Sequence, residues 1–417
     1  MLKIDRFLKN NLIMFVSGSI VSLLNLLYQL LMVRNLSSKV YGELNSLLSL
    51  LVIITIPCSS FGIMVVKFTS KFHAQQLYIN LKALLNSLFY HTLILSIGAF
   101  LLISLLSPIL ASFLQLDSIM PVVFLAVIVF LSMISSAISG GLLGLEKFGW
   151  LAGSSVVSGF FKILLAFIFV VLLGRQLYGA LSVFIISSLL GLLITLWPLK
   201  EFFFRVEKNS QLNLKEIYGY FLPSFVVFLC FSLLTNIDIL LVKHFFSPTL
   251  AGTYSVAQII GKIIFFLPGT VSVVMFPRLS FLHTQNKDTL HTLKRSLKYS
   301  AILCILGLII YNLFPHYTLQ ILTKKTGSEY IALGRLFSIS MAFFSLSGIL
   351  LLYQLSINNF KFIKFLILLT IIQILAISVF SFFYKSLYMV LIVLCINSFI
   401  LFLSNLKLTF KKIASGR

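Results

Sequence analysis

The sequence predicts an all-α integral membrane protein of about twelve transmembrane helices, built as two six-helix bundles related by a parallel internal repeat. Three observations predict it. Charged residues make up only 10% of the 417-residue chain, whereas a soluble domain carries roughly 25%. Long apolar runs recur from end to end, and the mean hydropathy is +1.09. The cations, 32 Lys and Arg against 10 Asp and Glu, gather in short connections between those runs. In a soluble protein a net charge of +22 would point to nucleic acid. Its placement between apolar runs points instead to membrane topology and anionic headgroups, so no nucleic-acid partner is expected.

A spanning helix needs roughly 20 mostly apolar residues. On that criterion helices fall at 12–33, 44–66, 83–106, 119–139, 152–173, 177–199, 218–242, 252–276, 297–314, 331–354, 363–383 and 386–404. The basic stretch 1–11 resembles a leader peptide. The run after it is long enough to span and ends without a small-residue cleavage site, so it reads as the first helix. Gly174-Arg175-Gln176 separates the fifth helix from the sixth, and Tyr384-Lys385-Ser386 separates the last two. Pro57 and Pro268 fall late in the second and eighth helices, where a missing backbone donor bends a helix. Most of the 42 Phe and 15 Tyr serve as lipid-facing bulk and interface anchors.

Orientation follows from the cations. With the N-terminus in the cytoplasm, inner segments hold 22 of the 32 Lys and Arg residues and outer loops hold seven, as the positive-inside rule requires. Both termini are then cytoplasmic. The remaining three, Lys162, Lys262 and Arg335, fall within helices. The most polar connection, 201–217, lies mid-chain after six helices. The expected organisation is therefore an N-terminal bundle over 1–200, a cytoplasmic linker over 201–217 and a C-terminal bundle over 218–417.

A repeat supports this division. Residues 30–72 and 239–281 share an ordered set of features: Val33-Arg34 against Val242-Lys243, a Ser-bearing loop, Gly42 against Gly252, Pro57 against Pro268, and Lys67 against Arg278. Both copies begin and end on the same side, which makes the repeat parallel. Secondary transporters commonly use such repeats and handle substrate between the halves.

The sequence has no phosphate-binding G-x-x-x-x-G-K-[ST] loop, no G-x-S-x-G and no H-E-x-x-H, so neither an enzyme nor an ATP-driven pump is indicated. The histidines show no metal-ligand spacing. Cys58, Cys230, Cys304 and Cys395 are scattered through apolar runs as small hydrophobes, and no cofactor is implied. The informative residues are charges at membrane depth, which face a cavity or a partner. Lys162 and Lys262 lie near the middle of the fifth and eighth helices, too deep to snorkel, and predict a cationic cavity suited to a phosphate or pyrophosphate. Asp238 reads as the only acid within a predicted helix. It is either an ion-coupling carboxylate or the partner of a lysine such as Lys262. Arg34 and Lys243 occupy matching places in the repeat, and Arg335 lies near an outer helix end. All three are candidates for lining an outer mouth, or anchors for helix ends.

Asp238-Ile-Leu-Leu-Val-Lys243, Ala251-Gly252-Thr-Tyr254-Ser-Val-Ala257 and Val274-Met-Phe276-Pro277-Arg278 resemble the second-half signature of bacterial polysaccharide transporters, the O-antigen-type lipid-linked oligosaccharide flippases. Arg34-Asn-Leu-Ser-Ser-Lys-Val-Tyr41-Gly42 is the first-half counterpart. The resemblance places the chain in the multidrug/oligosaccharidyl-lipid/polysaccharide (MOP) superfamily. It implies two bundles around a cationic cleft in the bacterial cytoplasmic membrane. It also implies a polyprenyl-pyrophosphate oligosaccharide carried to the outer leaflet by alternating access, with the lipid tail left among membrane lipids. H+ or Na+ would be the coupling ion, and polysaccharide polymerase machinery a neighbour. The alternative on this fold is an ion-coupled multidrug or cation antiporter. Cationic drugs call for acids in the cleft, and this chain offers one acid against two or three cations, which disfavours that alternative.

Overall fold

The computed structural model describes residues 6–200, 221–268, 275, 289–357 and 359–415. Among them every regular element is helical, and twelve helices are long and apolar enough to cross a membrane. The chain is a multi-pass membrane protein.

Helices α1 (Arg6–Asn35), α2 (Ser38–Ile54) and α3 (Ile56–Ala74) make the first two passes. α2 and α3 form one pass interrupted at Thr55. Pro57, in the first turn of α3, has no N–H to offer the Ile53 carbonyl, and the ladder breaks there. The Thr55 hydroxyl donates to the Leu51 carbonyl at 2.8 Å. α4 (Tyr78–Leu105), α5 (Ser107–Phe113), α6 (Met120–Gly144), α7 (Phe148–Ala166) and α8 (Gln176–Leu196) follow, with a π-helical stretch Phe167–Leu172 extending α7. After the mid-chain connection come α9 (Phe221–Phe245), α10 (Pro248–Phe266), α11 (Leu290–Leu313), α12 (Pro315–Thr323), α13 (Ser328–Ser356), α14 (Ile363–Tyr384) and α15 (Leu387–Ser415). The linker over 201–217 lies outside the described residues, as does Arg278 of the repeat.

The short helices α5 and α12 are a finding of the structure. Each follows a long helix and opens on a proline in its first turn, where the missing N–H is harmless. At 7 and 9 residues neither can span, so a search for apolar runs passes over both.

The chain divides into two compact units, Met1–Asn35 with Leu50–Phe228, and Leu36–Ser49 with Leu229–Arg417. Within the first, α6 lies against α3, α4 and α8, and α7 against α1 and α8. Its apolar core joins Met64, Phe68, Leu84, Leu88, Ile138 and Leu142. α3 and α6 approach closely because both are small at the crossing. A Cβ on Gly140 would lie 2.8 Å from the Gly62 carbonyl oxygen. Within the second unit α13 lies against α10, α11 and α15. Amides tie α9, α14 and α15 together: Gln373 Nε2 donates to the Leu234 carbonyl at 2.8 Å, and Asn397 Nδ2 donates to Gln373 Oε1 at 2.6 Å. All four cysteines are free thiols, three of them buried.

Replacing Gly140 by Ala should destabilise the protein by about 1–3 kcal/mol, because the new methyl meets backbone and cannot be accommodated by a rotamer change. Gly153→Ala, where a Cβ would meet nothing within 4 Å, should be neutral or stabilising. Thermal unfolding of the two variants in detergent checks this pair, and equal midpoints would contradict the tight α3–α6 crossing.

Candidate functional site

Each unit holds a cluster of polar side chains built around a lysine. In the first, α1, α6, α7 and α8 enclose a cavity of about 420 Å³. Ser132, Ser135, Ser136 and Ser139 follow the i, i+3, i+4, i+7 spacing of one helix face and bring one wall of α6 hydroxyls to it. Ser154, Ser155 and Ser158 of α7 and Ser187, Ser188 and Thr195 of α8 supply the rest of the hydroxyl lining. Ser136 and Thr195 donate to backbone carbonyls, Cys58 and Gly191 respectively, so their oxygens remain acceptors toward the cavity.

Lys162 lines the same cavity from the centre of the α7 span, Phe148–Leu172. Its ammonium donates to Asn25 Oδ1 of α1. It also lies 5.3 Å from the Tyr28 ring centre and 4.8 Å from that of Phe184. Ring faces and an amide carbonyl stabilise a cation without cancelling its charge. No carboxylate lines the cavity.

The second cluster joins α9, α10 and the first turns of α2. Asp238 of α9 is fully buried. Its Oδ2 accepts from the Tyr254 hydroxyl at 2.8 Å and from Gln258 Nε2 at 3.2 Å. Gln258 Oε1 accepts from Asn45 Nδ2 at 2.7 Å, and Asn45 Oδ1 accepts from Lys262 Nζ at 3.1 Å. An ammonium only donates and a carboxylate only accepts, so the two ends fix the orientation of both amides. Asp238 and Lys262 are thus linked through Gln258 and Asn45.

Two expectations change here. Lys262 belongs to α10, which ends at Phe266 ahead of Pro268, not to a helix running to 276. It therefore lies about 6 Å from the described helix end, not at mid-helix. Asp238 is also not alone: Glu43 lies inside α2, buried, and its Oε1 is 3.9 Å from Lys243 Nζ. Ser37 caps α2 by accepting from the Val40 N–H at 3.3 Å, so the helix begins several residues before its apolar run.

The remaining candidates separate. Lys243 is fully buried beside Glu43, whereas Arg34 at the end of α1 and Arg335 in α13 are exposed. Lys325, which the sequence reading did not single out, donates to the Leu36 carbonyl at 3.3 Å, and burial lowers its pKa. Among the described residues no group of His, Cys, Asp and Glu side chains could hold a metal ion.

Twelve apolar helices in two units, each with a cluster of polar side chains around a lysine, define a multi-pass membrane fold. An inward-facing multidrug resistance MATE family transporter of the MOP superfamily matches with a TM-score of 0.76 at 14% identity, over 92% of this chain and 93% of that one. The lipid II flippase MurJ in an inward closed conformation matches at 0.73 and 14% identity, over 96% and 87%. A MOP superfamily transporter from Pyrococcus furiosus, described as having a binding pocket of reverse polarity, matches at 0.60 and 14%, over 95% and 94%. At such identities the likeness is one of fold. No curated protein matches the chain. The family itself comes from the sequence: the model of the polysaccharide biosynthesis protein family matches residues 7–283, and the chain belongs to that family.

Gln258→Leu should destabilise the protein by about 1–3 kcal/mol, because it leaves Asp238 and Asn45 each short of a partner. Combined with Lys262→Met, the loss should be smaller than the sum of the two, since both substitutions break one network. Additive losses in a double-mutant cycle of unfolding midpoints would show that the relay does not act as a unit.

Proposed function

We propose that this protein is a flippase. It moves a polyprenyl-pyrophosphate-linked oligosaccharide, the repeat unit of an O-antigen, capsule or exopolysaccharide, across the cytoplasmic membrane of a bacterium by alternating access. The observation that carries the reading is Lys162 in a hydroxyl-lined cavity without a carboxylate. An ammonium held by a neutral amide keeps its charge available to an anion. Serine hydroxyls both donate and accept, which suits phosphate oxygens and sugar hydroxyls alike. Membership of the polysaccharide biosynthesis family supports the same substrate class. The fold neighbours include a lipid II flippase and multidrug transporters, so fold by itself does not choose between them. The polarity of the cavity favours an anionic cargo over a cationic drug.

On this reading Lys162 binds the pyrophosphate, with Lys262 serving it in the second half. Arg34 and Arg335, both exposed, are secondary contacts. The sealed Lys243 holds structure in this conformation. The protein acts as a transporter and not as an enzyme. Its termini are cytoplasmic, and polymerase machinery receives the flipped unit outside. Asp238 is the proposed coupling group for H+ or Na+, because a carboxylate tied to a lysine through two amides links the charge state of one to the position of the other.

Headgroup translocation of a fluorescent polyprenyl-pyrophosphate oligosaccharide in proteoliposomes tests the function. The parent should exchange leaflets faster than empty vesicles. Lys162→Ala should lose at least about tenfold in rate, the equivalent of one lost charge-assisted contact, and Lys162→Arg should keep part of it. No exchange by the parent, together with gradient-driven uptake of a cationic dye, would overturn the reading in favour of an antiporter. Coupling is tested separately. Asp238→Asn should abolish the response of translocation to an imposed pH or Na+ gradient, and an unchanged response would remove Asp238 from that role.

A further inference from the structure

The segment Leu36–Ser49 precedes the mid-chain connection in sequence, yet it packs with the C-terminal helices and not with the rest of its own half. Three contacts hold it there. The first is steric. A Cβ on Gly42 would lie 3.0 Å from the Gly252 Cα, and a Cβ on Gly252 would lie 2.2 Å from the Ser38 carbonyl oxygen. The glycines that the repeat pairs in sequence thus touch in space, and neither position has room for a side chain. The second is the buried ion pair between Glu43 of α2 and Lys243 of α9. The third is Asn45 of α2, inserted between Lys262 and Gln258 of α10. A fourth tie, Lys325 to the Leu36 carbonyl, secures the connection just ahead of α2.

This seam is richer in charge than the other helix contacts of its unit, although amides also join α9, α14 and α15, and α2 buries Tyr41, Leu44 and Leu47 beside its polar side chains. α10 meets α11 and α13 through Ile264, Cys304, Ile331 and Ala342, side chains with nothing to gain from water. α2 meets α9 and α10 through a carboxylate, two amides and two ammonium groups. An apolar contact loses its stabilisation when opened to water, whereas polar partners exchange one another for water at small net cost. Contacts made to part are more polar than permanent ones.

We infer that the Glu43–Lys243 pair, the Gly42/Gly252 contact and Asn45 form a latch. It is shut in this structure and must part during each transport cycle. When α2 withdraws, Glu43 leaves Lys243, and the Asp238–Lys262 relay is cut at Asn45. Opening the latch therefore releases Lys262 from its amide and makes it available to an anion. This rests on the transport reading for its purpose, though not for its test.

Cysteine accessibility reads the latch directly. Ser46 of α2 is fully buried. With Cys58, Cys230, Cys304 and Cys395 replaced, Ser46→Cys would be the sole thiol of the full-length protein, reconstituted in nanodiscs that leave both faces open to a polar maleimide. Labelling of the parent latch should be slow. Glu43→Gln keeps the shape and removes the charge, and should raise the rate by about tenfold or more as the open population grows. The exchange Glu43→Lys with Lys243→Glu should restore slow labelling. A parental rate in Glu43→Gln, or a fast rate in the exchanged pair, overturns the latch. Should Glu43→Gln fail to fold, Leu36→Cys with Lys325→Cys in the same cysteine-free background, at the tie just ahead of α2, supplies the second arm. A short bifunctional thiosulfonate across that pair should stop headgroup translocation, and reduction should restore it. Full translocation by the cross-linked protein overturns the latch equally. If the parent moves no lipid-linked oligosaccharide, the flippase reading falls and the labelling result still decides the latch.

Discussion

In a bilayer a buried cation must find its acceptors inside the protein, and this chain has 10 acids for 32 Lys and Arg residues. The structure meets the shortage in two ways. Lys243 receives a carboxylate, Glu43. Lys162 and Lys262 each receive the side-chain carbonyl of an asparagine, Asn25 and Asn45. The difference matters electrostatically. A carboxylate cancels the charge it binds, whereas an amide orients the ammonium and leaves its field intact. Lys162 therefore remains a centre of positive potential, whereas Lys243 does not, and Lys262 shares its charge with Asp238 through the two amides. An amide also has donors of its own, so Asn45 can pass the connection on to Gln258 and Asp238. A carboxylate in its place would have ended the chain.

The internal repeat gains meaning from where it fails. Its copies agree at Gly42 and Gly252, and those residues meet at the crossing of α2 and α10. One position later the copies diverge, with Glu43 in the first and Thr253 in the second. The cations that the repeat aligns diverge with them: Arg34 is exposed, while Lys243 is sealed by that same glutamate.

Most of the fold was legible because a spanning helix leaves a long, unambiguous apolar run. What was not legible has specific causes. α5 and α12 are too short to register as spans. Glu43 was placed in a loop because the first turns of α2 are polar, although a serine cap starts the helix there. Lys262 falls near the end of α10 and not at its middle, because the helix stops ahead of Pro268 where composition alone suggests continuation. The hydroxyl wall of α6 was present in sequence at helical spacing. Yet serines in membrane helices ordinarily bond their own backbone, as Ser132 does to the Ile128 carbonyl at 2.8 Å. Nothing in one helix announces that two others bring serines to the same cavity. Lys162 was the readable part of that site, since a mid-membrane cation requires an explanation wherever it points.

The polar seam and the hydroxyl cavity pose the same physical problem from opposite sides. A site that binds a sugar phosphate must offer groups that water could also satisfy, or the cargo would never leave. A closure that opens must likewise be made of groups that water can take over. Apolar packing alone serves neither purpose, because its strength lies in excluding water. Each unit has an apolar core, while polar side chains line the cavity of the first and the seam of the second. Asn45 joins the two requirements: it holds α2 against α10 and occupies the lysine that an anion would need. As long as the seam is shut, Lys262 is satisfied. Once α2 withdraws, Lys262 exchanges Asn45 for water, and an anionic headgroup can displace that water with a charge-assisted contact.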